Sequence, residues 1–507
     1  METRGQNRAL DESRVQRAML VALAVAVLAA AAWAIANRSP WYDEYYTLYI
    51  TRADAPFPAL WAGWLRDNHP PTFYALSWAL SRALDWATGG LGNEVEPRRL
   101  LNLLLGAGAG LALLRIARAR ADLRPVFLAY AMGLAGAAPL IVRVAELRSN
   151  FLALAAGAVA VAALAAFAAP GAPIRRRAAV PVLAGALGLA FAIHIAATII
   201  VGALALAFGL RMILAGDGRG TGRLALAGLI GALPFAACMA VQLGTIAGNT
   251  RAFWIPGGFP VARWTIEMEL IAGLRANPPF ALAGLAGLAV LGWRDLRAKT
   301  LSEPLALALT LGAGLVLAIA LLVALHLQRP FVIARYLVCL HPALAMILAI
   351  GIAALAGALR PRPRLALYLA ITAGALTSLG RQALHVASLP GWDGTATALA
   401  REVRACPHAV VHAATGWNSA VLDLPPADNR MVVPFAYRVV AARHGFPLAP
   451  PRSRAMAQGC PTLFWAEHVA GQAVDATGIA AGLRAQGYPV RSGTLRRIGD
   501  GWIFAAR

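Results

Sequence analysis

The chain has 507 residues, 59% of them in the set AVILMFWYC and only 14% charged, with a mean hydropathy of +0.62. Soluble domains average about 45–50% apolar and about 25% charged residues, so a soluble exterior is excluded, as is disorder, which requires low hydrophobicity. Lys+Arg is 46 against 24 Asp+Glu, and much of this +22 excess lies in short clusters between apolar runs, where it orients a membrane protein rather than binding nucleic acid.

A hydrocarbon core of about 30 Å takes roughly 20 apolar residues in a helix. The first such run, 18–36, follows Arg4, Arg8, Arg14 and Arg17. Its last residues, Ala34-Ile35-Ala36, resemble a signal-peptidase site, but the run exceeds the usual length of a cleaved signal. An uncleaved anchor is expected. Further runs are 100–114, 125–142, 151–169, 180–193, 195–210, 224–243, 280–291, 305–325, 337–359 and 365–379. About eleven spans follow, with 180–210 either two short helices hinged near His194 or one long tilted helix.

The connections 115–120, 175–177, 211–223, 294–299 and 360–364 are short and basic. With eleven spans and a cytoplasmic N-terminus they all fall on the cytoplasmic side of the membrane. The remaining connections then face outward, and two are long. Segments 37–97 and 244–279 mix Trp, Tyr and Pro with charged residues, the composition of helices that lie at a membrane surface.

The tail, 381–507, lands on the same outer side and is polar enough to fold in water. Two domains are expected: a membrane domain, 1–380, and a soluble extracytoplasmic α/β domain, 381–507. In the tail, 394–405 and 474–486 read as helices and 409–412 and 462–465 as strands, a small α/β layer. Cys406 and Cys460 each precede one of those strands. Parallel neighbouring strands would bring the sulfurs within bridging distance in an oxidising compartment; a disulfide is expected, with two unpaired thiols as the alternative. Cys238 and Cys339 lie in apolar spans and read as packing residues.

Several polar features stand out against this background. Asp43 and Glu44, inside Trp41-Tyr42-Asp43-Glu44-Tyr45-Tyr46, follow the first span. They are either a base with a metal- or hydrogen-bonding neighbour, or a solvated pair within an aromatic belt. His69 stands before Pro70-Pro71 at the mouth of an amphipathic helix, as a pocket residue or an ordinary interfacial histidine. Glu146 and Arg148 form a polar break between two spans, functional or a loop salt bridge. His194 interrupts an apolar run; an ionisable group at that depth is a functional candidate, or a hydrogen bond between helices. Trp254 belongs to Arg251-Ala-Phe253-Trp254-Ile255-Pro256 at the start of the second long loop. Arg329 and Arg335 lie at the outer interface, against the usual charge bias. A lipid phosphate, which a guanidinium fork matches, would explain them, as would snorkelling.

In this order, Asp43-Glu44, His69-Pro70-Pro71 with Phe73-Tyr74, Glu146/Arg148, His194, Phe253-Trp254-Ile255 and Arg335-Tyr336 followed by Pro342 resemble bacterial relatives of the protein O-mannosyltransferases. The lipid A aminoarabinose transferases are similar in plan. The resemblance covers roughly residues 41–342 and departs at Asn150, where relatives commonly carry an aromatic residue; the tail matches no family core. It implies a mostly helical GT-C fold and an enzyme that takes a sugar from a polyprenyl-phosphate donor, with inversion, to a hydroxyl on a glycan, lipid or protein. It also implies roles: Asp43 as general base with Glu44 beside it, Arg335 and Arg148 on the donor phosphate, and Tyr336 lining the donor site. His69, Glu146, His194 and Trp254 are further pocket contacts. Asp43 and Arg335 are expected to serve one wet pocket at the exterior leaflet.

A divalent cation could share the phosphate charge, but no strong ligand cluster is visible and no cofactor is assigned. A transporter or flippase of a lipid-linked anion is the alternative. Transporters, however, place substrate groups near the bilayer midplane on broken helices, often within internal repeats.

Overall fold

The computed structural model describes residues 2–169, 179–249, 255–413, 431–467 and 474–506. Helices dominate. In chain order they are α1 (Glu2–Asn37), α2 (Tyr42–Ile50), α3 (Phe57–Leu65), α4 (Thr72–Thr88), α5 (Val95–Ala119), α6 (Arg124–Ala135), α7 (Leu140–Val144), α8 (Ser149–Ala168), α9 (Ala179–Phe191) and α10 (Ile195–Leu214). There follow α11 (Gly218–Asn249), α12 (Phe259–Ala276), α13 (Pro278–Ala298), α14 (Glu303–Gln328), α15 (Leu340–Ala358), α16 (Pro361–Ser388), α17 (Asp393–Ala405), α18 (Val432–Arg443) and α19 (Ala476–Ala485). Four strands complete the chain: β1 (Val410–Ala413), β2 (Thr462–Ala466), β3 (Gly493–Ile498) and β4 (Gly501–Ala506).

Each of the eleven apolar runs falls mostly on helix, the run 125–142 being split between two. Among the described residues seven helices are each long and apolar enough to cross a membrane, and α12 with α13, bent by 99°, make an eighth span if counted as one. The other three runs lie on α6–α7, α9 and α16. The chain is thus a multi-pass membrane protein with a small sheet near its C-terminus. By contacts it divides into two compact units: Met1–Ile35 with Asp67–Leu76 and Arg99–Val386, and Ala36–Arg66 with Ser77–Arg98 and Ala387–Arg507.

In the first unit, helix packing depends on small residues. A Cβ added at Gly287 of α13 would lie 1.8 Å from the Gly351 carbonyl oxygen, and one at Gly351 of α15 would lie 2.1 Å from that of Gly284. The two backbones touch, as small-residue motifs permit in membranes. The run 125–142 is not one helix: it breaks between α6 and α7, just ahead of Leu140, where Pro139 lacks an N–H. Helix α16 takes up the freed groups. Ser378 Oγ donates to Gly136 O at 3.0 Å, Gln382 Nε2 donates to Ala137 O at 2.9 Å, and Gln382 Oε1 accepts from Ile141 N at 3.0 Å. Breaks at membrane depth are tolerated when protein groups satisfy the backbone in this way. The bend before α13 follows the same rule. Asn277 caps Phe280 N at 3.3 Å and donates from Nδ2 to Ile371 O at 3.0 Å, ahead of Pro278-Pro279.

In the second unit the sheet order is β1-β2-β4-β3. Strands β1 and β2 are parallel, with Val410 opposite Thr462; β4 runs antiparallel to β2 and to β3. Cys406 and Cys460, just before the parallel pair, form a disulfide with Cα atoms 5.8 Å apart. Buried Phe464, Phe504, Ile479 and Leu483 form part of the sheet's core. The sequence between the first span and residue 66 also belongs here. Tyr45 of α2 packs on Trp392 with ring centroids 5.1 Å apart, Trp392 on Tyr437 at 5.0 Å, and Tyr437 on Trp465 at 4.7 Å. Tyr49 meets Phe435 of α18 at 5.3 Å.

Candidate active site

In the first unit, polar side chains from separate connections gather at one end of the helices. The segment before α4 supplies Asp67 and His69, both buried. One oxygen of Asp67 accepts from His69 N at 3.3 Å, from His69 Nδ1 at 3.0 Å and from the Tyr74 hydroxyl at 2.7 Å. An aspartate bonding two residues ahead forms a local turn, and Pro70-Pro71 then set the extended approach to α4. Gln242, the one amide in an otherwise apolar stretch of α11, donates to Asp67 O and His69 O, both at 3.3 Å. Burial raises the pKa of Asp67. The His69 charge and hydrogen bond, the Arg148 charge and the Tyr74 hydroxyl outweigh it and hold the carboxyl well below the ordinary carboxylate range.

His194 occupies the turn between α9 and α10, held by Thr72 Oγ1 donating to Ala192 O at 2.6 Å. It is the N-cap of α10, and its Nδ1 accepts from Ala196 N at 3.1 Å. Its ring centroid lies 4.5 Å from that of Tyr336 and 5.3 Å from that of His69; His69 and Tyr336 are 5.9 Å apart. Arg335 and Tyr336 come from a single 3₁₀ turn between α14 and α15, with the guanidinium 5.7 Å from the Tyr336 ring centroid. Arg148, buried, stands at the N-cap of α8. Burial lowers the pKa of His194 well below its ordinary value, and the His69, Arg148 and Arg335 charges lower it further.

His69, Arg148, His194, Arg335 and Tyr336 therefore belong to one neighbourhood. Glu146, also buried, pairs with Arg143 at 2.9 Å, and its backbone carbonyl accepts from Asn102 Nδ2 at 2.7 Å. Trp254 lies outside the described residues. Asp43 and Glu44 belong to the second unit, in the first turn of α2. Glu44 is buried there and accepts from Trp41 N at 3.4 Å, the reach-back of a helix-capping carboxylate. Among the described residues no three His, Cys, Asp or Glu side chains gather to hold a metal ion.

Tyr74 belongs to the motif that carries the resemblance, but the sequence assigned no role to it, to Asp67 or to Gln242. Asp67 stands two residues before a histidine already singled out. Gln242 is a lone polar residue in an apolar run, the pattern by which His194 was found.

These features define a polytopic membrane protein with a cluster of buried imidazoles, a buried and a half-buried guanidinium and a half-buried tyrosine at one end of its helices. No family model matches the chain, and no curated protein matches it in sequence. Its fold does match solved structures. ArnT from Cupriavidus metallidurans bound to undecaprenyl phosphate aligns with a TM-score of 0.54 at 13% identity, over 96% of this chain and 97% of that one. The apo form of the same protein gives 0.54 and 13%, over 97% and 98%. An oligosaccharyltransferase from Archaeoglobus fulgidus, in complex with zinc and sulfate, gives 0.45 at 15% identity, over 80% of this chain and 57% of that one. The ArnT likeness along nearly the full length shows that the chain has a GT-C-like fold.

Proposed function

We propose that the protein is an inverting membrane glycosyltransferase that moves a monosaccharide from a polyprenyl-phosphate donor to an acceptor hydroxyl on the outer face of the membrane. One observation carries the reading. Buried Arg148 and His194 and half-buried Arg335 and Tyr336, from three separate connections, share one neighbourhood in the fold of a protein solved with undecaprenyl phosphate bound.

The reaction needs little more than charge and a base. The acceptor oxygen attacks the anomeric carbon as the bond from that carbon to the phosphate oxygen breaks. The electron pair leaves on the polyprenyl phosphate, and the acceptor proton goes to a base. Arg335 and Arg148 stabilise the phosphate as it gains charge, as fixed cations do best in a dry site. Tyr336 lines the donor. Asp43 is proposed as the base on the resemblance noted above, with Glu44 orienting it through the first turn of α2. His69, ordered by Asp67, and Glu146 are polar contacts of the same machinery. In this reading the basic connections face the cytoplasm, and residues 381–507 form an extracytoplasmic domain beyond a membrane domain of residues 1–380.

Asp43→Asn tests the assignment of the base. It should abolish sugar transfer while the melting temperature in detergent stays within a degree or two of wild type. Unchanged turnover would remove Asp43 from the mechanism.

A further inference from the structure

Because His194 Nδ1 accepts the Ala196 N–H, a neutral ring must carry its proton on Nε2. Burial and the His69, Arg148 and Arg335 charges favour that neutral form over the opposing Asp67 carboxylate. Nε2 is itself buried and has no hydrogen-bond partner among the described residues, and the residue as a whole is 4% exposed. A buried donor left unmet is a standing cost to the fold, and each one calls for an explanation.

His326 shows that the pattern alone assigns nothing. Its Nδ1 accepts from Phe331 N at 3.2 Å and Val332 N at 3.0 Å, and its Nε2 is likewise buried and unmet among the described residues. The surroundings separate the two rings. His326 faces the ring of Phe331, with centroids 6.5 Å apart, whereas His194 lies within the electrostatic reach of Arg148 and Arg335 and against the rings of Tyr336 and His69. Two guanidiniums mark a place for an anion. A neutral N–H among them adds a directed hydrogen bond without adding a third positive charge.

We propose that His194 is a binding residue for the donor phosphate: its Nε2–H donates to a phosphate oxygen alongside Arg335 and Arg148, and the half-buried Tyr336 ring moves aside to admit it. The inference rests on the transferase reading and deepens it. His194 then neither takes nor gives a proton during the reaction.

The test exploits the ring's two jobs. Asparagine is among the best N-caps, so His194→Asn keeps the cap on α10 while removing the imidazole ring and with it the distal Nε2 donor. Binding of undecaprenyl phosphate to the full-length protein in detergent is measured for wild type and His194→Asn, together with their melting temperatures. The expected result is affinity weakened about tenfold or more at an unchanged melting temperature. Equal affinity overturns the inference and leaves the transferase reading standing. Failure of wild type to bind undecaprenyl phosphate overturns both. A second measurement needs no variant. In wild type labelled with nitrogen-15 histidine, the His194 Nε2–H resonance should move on addition of undecaprenyl phosphate and stay put with undecaprenol. A resonance indifferent to the phosphate overturns the inference.

Discussion

Asp67 and His69 form a buried pair in which the carboxylate accepts from ring Nδ1 at 3.0 Å, while the same oxygen takes the Tyr74 hydroxyl at 2.7 Å. The pair fixes which face His69 presents, because the nitrogen bonded to the carboxylate carries the proton and leaves Nε2 to point elsewhere.

The pair also predicts a pH dependence. Asp67 is held below its ordinary pKa of 3.8 against the effect of burial. A carboxyl depressed in the folded state stabilises it above the unfolded pKa, and that contribution is lost as pH falls through the folded value. Asp67→Asn should therefore lower stability at neutral pH by about 1–3 kcal/mol. Its difference from wild type should shrink as pH drops below the ordinary carboxylate range. Melting curves of both proteins across that range check this; a difference independent of pH contradicts it.

Glu467 in the second unit behaves oppositely. Burial pushes its pKa up to about 8, against the opposing hydrogen bonds from Thr395 and Trp465 Nε1, and Asp500 and Asp393 raise it further. Its Oε2 is buried with no partner among the described residues. With the folded pKa raised, the native state is favoured most below the unfolded value of 4.5, and the advantage is lost as pH rises toward 8. Glu467→Gln, neutral at every pH, should abolish this loss and leave the variant more stable than wild type above pH 8, by on the order of a few kcal/mol. Parallel stability curves for the two proteins across that window would refute the buried, protonated acid.

The contact between α13 and α15 has little room to yield. A Cβ at Gly351 would meet the Gly284 carbonyl oxygen at 2.1 Å, a backbone atom that moves only if a helix moves. Gly351→Ala should destabilise the protein by about 1–3 kcal/mol, the usual range for overpacking. Gly357→Ala in the same helix, where an added Cβ meets nothing within 4 Å, should be close to neutral. Similar midpoints for the two variants in a denaturing-detergent titration would argue against close helix contact.

The spans on α1, α5, α8, α10, α11, α14 and α15 were legible because an apolar run long enough to cross a bilayer has few other uses, whereas the runs 125–142, 180–193 and 365–379 fall on helices that, among the described residues, are not of that length and apolarity. The break at Gly136–Pro139 was not, although Pro139 lay in view, because the groups that make it tolerable, Ser378 and Gln382, come from a helix far along the chain. The strand pattern at 462–465 corresponds to β2, which extends to Ala466. The β3–β4 hairpin went unnamed even though Gly499, at φ 57°, marks its turn. At the site, His194 announced itself as a lone imidazole in an apolar run. Asp67 did not, because its importance lies in three hydrogen bonds that only folding assembles. Glu44 read as chemistry, and the structure adds a local capping bond that a carboxylate three residues past an N-cap often makes.

The most direct test of the central claim, a polyprenyl-phosphate-linked donor held by Arg335, is mass spectrometry of the lipids that co-purify with wild type and with Arg335→Gln. The account predicts a polyprenyl-phosphate sugar on wild type and about tenfold less or lower on the variant, since a charge-assisted phosphate contact is lost. Wild type carrying no such lipid, or both proteins carrying it equally, would contradict it.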